Sequence, residues 1–285
     1  NMNHPAELPI RAFLDNAVKG KSTMSDEVID GVVEDLRAAL KRQFSGQPRD
    51  KFKLRPSGLG KPTCQLWFEK NKPELAEALP SNFMINMVIG DIVEAIFKGI
   101  LRASKVDFVD SAKVKTTIAN QEISGEYDLT IDNKVDDIKS ASSWSYTNKF
   151  ADYTKLSEND SFGYVAQLAI YAKALGVDVG GWWVLNKANG DFKYVSARAM
   201  DIEKEMSKIE DTINYIVEDK PFERCFTDVP ETYRGVPSGN TILPKECHFC
   251  RFKRTCWETL QELPSKVSKA KELPIVEYIT LAKVA

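Results

Sequence analysis

The stretch Glu126-Tyr-Asp-Leu-Thr-Ile-Asp-Asn-Lys-Val-Asp-Asp-Ile-Lys139 decides the fold of the region around it. Polar and apolar residues alternate through its first half, which is typical of a strand with one buried face. Asp132 and Asn133 both belong to residue types that tolerate positive φ, so they predict a two-residue hairpin turn. A turn at this point places Asp128 directly opposite Asp137, with both side chains on one face of the hairpin.

The two opposed aspartates indicate what this face of the hairpin could bind. Like charges directly opposite each other destabilise a sheet, and a bound cation would remove that repulsion. Oxygen ligands without histidine or thiolate favour a hard ion such as Mg²⁺, Mn²⁺ or Ca²⁺. Lys139, opposite Glu126 on the same face, can stabilise a developing negative charge or hold a water molecule. Metal-assisted phosphodiester hydrolysis requires this combination; the alternative is a solvent-facing hairpin whose acids only improve solubility.

The composition narrows the classes of protein. The 285 residues are 43% hydrophobic and 28% charged, which are ordinary globular values. No apolar run approaches the roughly 18 residues of a membrane span, and a signal-peptide pattern is missing, so we expect a cytoplasmic protein (host cytoplasm if phage-encoded) without membrane partners. The two histidines, His4 and His248, leave little room for Ser-His-Asp triads, Cys-His proteases or His-rich zinc hydrolases.

Positive charge is concentrated locally although the net charge of the chain is −2. From Lys41 to Lys61 seven basic residues face one acid, a net charge of +6, which indicates either a solvated loop or a nucleic-acid contact. The connector 141–159 mixes aromatic rings with lysines, a pattern that suits single-stranded nucleic acid, although core or lid packing explains such rings more often. The resulting nucleic-acid-binding candidates are Lys51, Lys53, Arg55, Trp144 and Tyr146.

Periodicity along the chain predicts an α/β fold. Predicted helices lie at 25–44, 83–101, 161–175 and 201–218. Predicted strands lie at 104–109, 113–119, 122–131, 134–140, 181–186 and 192–197. The expected domain organisation is a tail (1–24), a helical and basic segment (25–82), a core (83–218) and a cysteine segment (219–285) that is irregular except for a short helix near 274–283.

Two helices carry further candidate site residues. On the helix at 83–101, Glu94 lies at the border of a polar stripe that includes Lys98, where a carboxylate can reach a metal ion or water. On the helix at 161–175, Gln167 and Tyr171 are four residues apart and therefore share a face with Tyr164. Without further information, the second pattern favours a partly buried polar stripe.

The cysteines predict a metal site rather than a disulfide framework. Three of the five lie in Cys247-x2-Cys250-x5-Cys256, and three clustered thiols need a fourth ligand. Cys64 is the natural candidate because Cys225 stands apart, with Cys225 and His248 as alternatives. One remote cysteine plus three close ones fits a cubane iron–sulfur cluster at least as well as zinc. Such a cluster would have a structural role.

These motifs together resemble the PD-(D/E)XK nucleases. The similarity runs from Arg55 to Trp257 and is greatest to the RecB-like iron–sulfur exonucleases, a branch that includes CRISPR-associated and phage enzymes. The resemblance implies a restriction-endonuclease-like core, a central mixed sheet flanked by helices, with an iron–sulfur clasp joining the N- and C-terminal segments. The motifs occur in the order Cys64, Gly90-x3-Glu94, Gly125-x2-Asp128, Asp137-Ile-Lys139, Gln167-x3-Tyr171 and Cys-x2-Cys-x5-Cys.

The resemblance also implies roles for single residues. Mg²⁺ or Mn²⁺ would be bound by Glu94, Asp128, Asp137 and the backbone carbonyl of Ile138, although many members of this branch carry histidine in place of Glu94. Lys139 would be the catalytic lysine, and Gln167 with Tyr171 would orient the substrate. A 4Fe–4S cluster would be held by Cys64, Cys247, Cys250 and Cys256.

The expected function is that of a metal-dependent DNA exonuclease acting on single strands or DNA ends, with recombination, repair or CRISPR-type proteins as partners. The alternative is a non-catalytic nucleic-acid-binding or assembly subunit that a metal cluster stabilises.

Overall fold

The structure is a computed structural model that describes residues 3–47 and 51–282. Arg49 and Asp50 of the basic stretch lie outside the described residues, as does the last residue of the helix predicted at 274–283. The chain divides into two compact units. We call them the sheet unit (Asn1–Gly60 and Pro80–Asn214) and the cysteine unit (Lys61–Leu79 and Tyr215–Ala285).

The predicted hairpin is present in the sheet unit. Strand β2 ends at Ile131 and strand β3 begins at Lys134. The intervening Asp132 and Asn133 have φ values of 49° and 58°, the left-handed conformations that a tight hairpin turn requires. Three cross-strand pairs, the outermost being Leu129 with Asp136, have the predicted register, so this prediction is confirmed.

The hairpin forms part of a five-stranded mixed sheet with the order β1-β2-β3-β4-β5. Neighbouring strands are antiparallel except for β3 and β4, which are parallel. A parallel pair needs a long crossover, and here the crossover contains helices α5 (Tyr153–Glu158) and α6 (Tyr164–Leu175). The sheet confirms the predicted α/β fold with a mixed sheet and flanking helices. Its strands are β1 (Val109–Ile118), β2 (Gln121–Ile131), β3 (Lys134–Ala141), β4 (Asp178–Asn186) and β5 (Phe192–Ser196).

Helices pack on both faces of this sheet. On one face α4 contacts β3, and the apolar cluster there includes Phe97, Leu129 and Trp183. On the other face α6 contacts β1, β3 and β4, and the larger cluster there includes Trp182 and Leu168. The helices of the chain are α1 (Glu7–Val18), α2 (Asp26–Gln43), α3 (Thr63–Asn71), α4 (Asn82–Ala103), α5 (Tyr153–Glu158), α6 (Tyr164–Leu175), α7 (Ile202–Val217) and α8 (Lys253–Cys256).

The four predicted helices are confirmed as α2, α4, α6 and α7, but two predictions for the sheet unit are wrong. The strand predicted at 104–109 does not form, because α4 continues to Ala103 and ends with Lys105 at φ 60°, where the Val106 N–H bonds back to the Leu101 carbonyl. The tail predicted at 1–24 contains α1, whose Ile10 is fully buried in the same cluster as Trp183.

The prediction of an irregular C-terminal segment is also wrong. The cysteine unit contains a second sheet, with the order β6-β7-β9-β8. Its last strand replaces the helix predicted near 274–283, because the β-branched run from Ile275 to Thr280 pairs with β8 and buries Tyr278. The strands are β6 (Val229–Tyr233), β7 (Val236–Ile242), β8 (Gln261–Pro264) and β9 (Ile275–Thr280).

Within residues 3–47 and 51–282, no helix has both the length and the apolar character that a membrane crossing requires.

Candidate functional site

The two predicted carboxylates meet where the β2–β3 hairpin opens. One step beyond the Leu129–Asp136 pair, Asp128 Oδ2 accepts a hydrogen bond of 2.7 Å from the Ile138 N–H. Asp137 is only 4% exposed. Burial, followed by the charges of Asp137 and Glu94, raises the pKa of Asp128 well above its usual value. The hairpin therefore holds Asp128 beside a second acid, in a place where the negative charge of Asp128 is unfavourable.

Lys139 provides the positive charge of this cluster. Its Nζ lies 2.5 Å from Asp137 Oδ2 and 3.4 Å from the Gln167 side-chain oxygen. Burial is the largest single influence and lowers the pKa of Lys139, but the neighbouring groups, with Asp137 foremost among them, together outweigh it, and the pKa is raised. Lys139 is therefore a firmly charged ammonium group beside the carboxylates.

Helix α6 contributes Gln167 and Tyr171, as the helical spacing predicts. Both approach the Asp137–Lys139 pair from the face of the sheet that α6 covers. Burial raises the pKa of Tyr171 to about 12, and a hydrogen bond with Gln167 opposes this shift. Tyr171 is thus a neutral hydroxyl donor at neutral pH, and the predicted partly buried polar stripe lies beside the two acids and Lys139.

Glu94 reaches the site from α4, where it faces a competing partner. Lys98 Nζ lies 2.8 Å from Glu94 Oε1 and 2.9 Å from Asp110 Oδ1. Lys98 of the polar stripe is buried, with only 3% of the residue exposed. Glu94 is close enough to raise the pKa of Asp128. It would have to exchange its ion pair with Lys98 for a metal ion in order to serve as a ligand.

The donor set at the hairpin fits a hard cation in its chemistry. Asp137 Oδ2 is a buried oxygen that accepts no hydrogen bond of good geometry, although Lys139 Nζ lies close to it. The carboxylate oxygens of Asp128 and Asp137 are hard donors of the kind Mg²⁺ and Mn²⁺ prefer. Within the part of the chain that the structure describes, no three His, Cys, Asp or Glu side chains already converge as a metal site.

Sequence reasoning missed two buried polar residues next to these side chains. Asp136 accepts hydrogen bonds from the Gly181 N–H (2.9 Å), Trp183 Nε1 (3.1 Å) and the Tyr194 hydroxyl (2.7 Å). Burial raises its pKa to about 7 despite these donors. The second residue is Lys149, in a π-helical turn at Ser145–Lys149. The sequence did contain a signal for Asp136: it is a polar residue at a position where the hairpin pattern places apolar side chains.

The residues predicted to contact nucleic acid differ in their exposure and partners. Lys51, Lys53 and Arg55 are exposed, whereas Arg42 of the same basic stretch forms an ion pair with Asp91. Trp144 is 67% exposed.

Its neighbour Tyr146 is different, because this ring packs against the larger apolar cluster and lies under Lys193 Nζ at 4.2 Å. Trp144 is therefore the member of the aromatic pair that has a free ring surface.

All five cysteines lie in the cysteine unit, as free thiols. The statement that Cys225 stands apart is wrong: its Sγ accepts the Cys64 N–H at 3.1 Å and lies 3.3 Å from Thr63 Oγ1. The hydrogen bond with the Cys64 thiol is the main reason that the pKa of Cys225 is lowered to about 6, while that of Cys64 is raised. Cys256 is near enough to influence Cys64, Cys225 and Cys247 electrostatically.

Comparisons with known proteins show no family for this chain. No family model matches the chain, and a search of the curated proteins finds no match. Among solved structures, the chain is similar to one titled "Crystal structure of SSO0001", with 15% sequence identity and a TM-score of 0.42. The similarity covers 82% of this chain and 98% of that one.

Proposed function

We propose that the protein is a metal-dependent deoxyribonuclease of the PD-(D/E)XK type that degrades DNA from an end, with a preference for single strands. The observation that carries the proposal is the buried group formed by Asp128, Asp137 and Lys139 at the opening of the hairpin. Placing two mutually repelling carboxylates and a lysine together in the fold costs folding free energy. The same groups suit the binding of a divalent cation and a phosphodiester.

Each side chain has a defined part in this proposal. Asp128 and Asp137, with the Ile138 carbonyl and Glu94 once it leaves Lys98, would hold Mg²⁺ or Mn²⁺. When bound, such an ion polarises the scissile phosphate and lowers the pKa of a coordinated water. Lys139 places its positive charge where negative charge develops during attack.

Helix α6 would position these groups and the substrate. Gln167 accepts from Lys139 Nζ and so fixes the direction of the ammonium group, while Tyr171 offers a hydroxyl donor. The strand would approach past Lys51, Lys53 and Arg55, with the exposed ring of Trp144 available for base stacking.

A nuclease assay tests this proposal. We expect wild-type protein with Mn²⁺ or Mg²⁺ to degrade labelled single-stranded DNA, and chelation to stop it. Asp137→Ala and Lys139→Met should each reduce the rate by at least about a hundredfold, as the removal of a group that stabilises transition-state charge does. Lys134→Met, which removes an exposed charge from the same strand, is the matched control.

Each result of the assay has a defined meaning. Wild-type cleavage that survives in Asp137→Ala or Lys139→Met would refute the assignment of the site. Metal-independent DNA binding without any cleavage would instead support a non-catalytic nucleic-acid-binding subunit.

The cysteine unit is proposed to hold a 4Fe–4S cluster through Cys64, Cys247, Cys250 and Cys256, which would join the two segments of that unit. The support is the gathering of the thiols in one compact unit, because thiolates are the ligands of such clusters. We expect an anaerobic preparation to be brown and to contain stoichiometric iron and sulfide.

Cys225 offers the matched comparison for this cluster. Cys64→Ser should lose the iron and Cys225→Ser should keep it. The reverse result would make Cys225 the fourth ligand, and zinc in place of iron would refute the cluster.

A further inference from the structure

Lys149 is a buried cation that the proposed chemistry does not use. It is 7% exposed and ends the π-helical turn at Ser145–Lys149. Its Nζ lies over the rings of Tyr164 at 4.4 Å, Phe162 at 4.6 Å and Phe150 at 5.9 Å. Aromatic faces stabilise a cation only partly, so this ammonium group has lost most of its water without gaining an anion.

No acidic side chain among the described residues forms an ion pair with Lys149. Within residues 3–47 and 51–282, no oxygen accepts a hydrogen bond from its Nζ. Asp160 is the acidic group that interacts with it electrostatically. That carboxylate already accepts the backbone N–H groups of Gly163, Tyr164 and Val165 at the start of α6. Asp160 is therefore engaged in capping the helix.

A second positive charge lies close by. Lys139 Nζ is 4.6 Å from the centroid of the Tyr164 ring, the same ring that Lys149 Nζ contacts at 4.4 Å. The two ammonium groups are therefore no more than about 9 Å apart. A buried, unpaired cation beside another cation is unfavourable unless an anion is bound there.

We propose that Lys149 binds a backbone phosphate of a single nucleic-acid strand, next to the phosphate that lies at Lys139. A single strand carries one phosphate per nucleotide on a flexible backbone, so neighbouring phosphates can meet two lysines whose ammonium groups lie within about 9 Å of each other. The rings of Tyr164, Phe162 and Phe150 exclude water from the contact and strengthen it. This inference rests on the proposed function, because it takes the Lys139 site to be the place of cleavage.

The test is a binding measurement that needs no turnover. Fluorescence anisotropy of a labelled single-stranded oligonucleotide in EDTA gives Kd as a function of salt for the full-length protein. We expect Lys149→Met to weaken binding about tenfold and to reduce the slope of log K against log salt by about 0.7, the value for one phosphate contact on a single strand. Lys208→Met, which removes an exposed charge paired with Glu205, should change neither quantity.

Oligonucleotides with one neutral methylphosphonate linkage locate the phosphate. The neutral linkage at the phosphate that contacts Lys149 should weaken wild-type binding about tenfold. The same linkage should not change binding by Lys149→Met, because the variant no longer has the charge that contacts this phosphate. A scan of linkages in the wild-type protein gives the same information if the variant does not fold. The proposal is overturned if Lys149→Met binds with unchanged Kd and salt slope, or binds more weakly with an unchanged slope. It is also overturned if the wild-type protein does not bind the oligonucleotide.

The inference and the proposed function fail in different ways. A phosphate contact at Lys149 without any metal-dependent cleavage would refute the nuclease and leave the phosphate site standing. Wild-type cleavage with an unaltered Lys149→Met variant would refute only the phosphate site.

Discussion

Replacing Asp128 with Asn should stabilise the metal-free protein. Burial and the neighbouring charge of Asp137 raise the pKa of Asp128, which means that its charged form destabilises the folded state. An Asn side chain keeps an oxygen that can accept the Ile138 N–H, which now bonds to Asp128 at 2.7 Å. Its amide group can also donate to Asp137 Oδ2, which accepts no hydrogen bond of good geometry.

The size of the effect follows from these two changes. Removing a like charge from an opposed pair contributes about 0.2–1 kcal/mol, and a new hydrogen bond to a buried acceptor contributes about 0.5–1.5 kcal/mol. We therefore expect the free energy of unfolding to rise by about 1–2 kcal/mol. For a unit of about 150–250 residues this corresponds to an increase in Tm of about 2–8 °C.

The advantage of the variant should depend on pH. Because the pKa of Asp128 is higher in the folded than in the unfolded protein, the wild type loses stability as the pH rises above the usual aspartate value of 3.8. The loss is complete once the pH exceeds the folded-state pKa. The variant has no such loss, so the difference in Tm should be small near pH 4 and largest at pH 8.

Thermal melts in EDTA measure this difference. Tryptophan fluorescence is a suitable signal because Trp182 and Trp183 are fully buried in β4. Glu126→Gln, an exposed change in charge on the same strand as Asp128, is the matched control and should leave Tm within about 1–2 °C of the wild type. A lower Tm for Asp128→Asn than for the wild type at pH 8, or a difference independent of pH, would refute the reasoning.

Three further predictions concern the fold around the site. Tyr194→Phe removes a hydrogen-bond donor that lowers the pKa of Asp136. In urea titrations the variant should therefore lose about 1.5–3 kcal/mol of unfolding free energy at pH 8 and less at pH 5. An equal loss at both pH values would contradict this prediction. Ile10→Ala should cost about 2–5 kcal/mol if α1 belongs to the folded unit, and nearly nothing if it is a tail. Gly60→Ala should lower Tm, because the new Cβ would lie 2.5 Å from a backbone atom at the start of α6, whereas the control Gly58→Ala has 3.6 Å of room; equal Tm values would contradict the close approach.

Local patterns were sufficient where neighbouring residues decide the structure. The Asp132–Asn133 turn can adopt its backbone conformation without help from the rest of the chain, so the hairpin register could be read from the sequence. Helix α2 is a similar case, since Ser25 accepts the Val28 N–H at its start as the sequence indicates. The tail predicted at 1–24 failed because α1 docks on the sheet unit, and the strand predicted at 104–109 failed because a helix C-terminus occupies that segment. The irregular segment predicted at 219–285 failed because long-range strand pairing forms a second sheet there.

The sequence by itself determined the hairpin register that brings Asp128 and Asp137 together, because the period of a strand and the chemistry of a two-residue turn are local properties. Only the tertiary structure decided which partners reach them. Helix α4 brings Glu94 tied to Lys98, and α6 brings Gln167. The proximity of Cys225 to Cys64 likewise joins residues far apart in the chain. Such contacts depend on how whole helices and strands pack, and the spacing of residues within one segment does not contain that information.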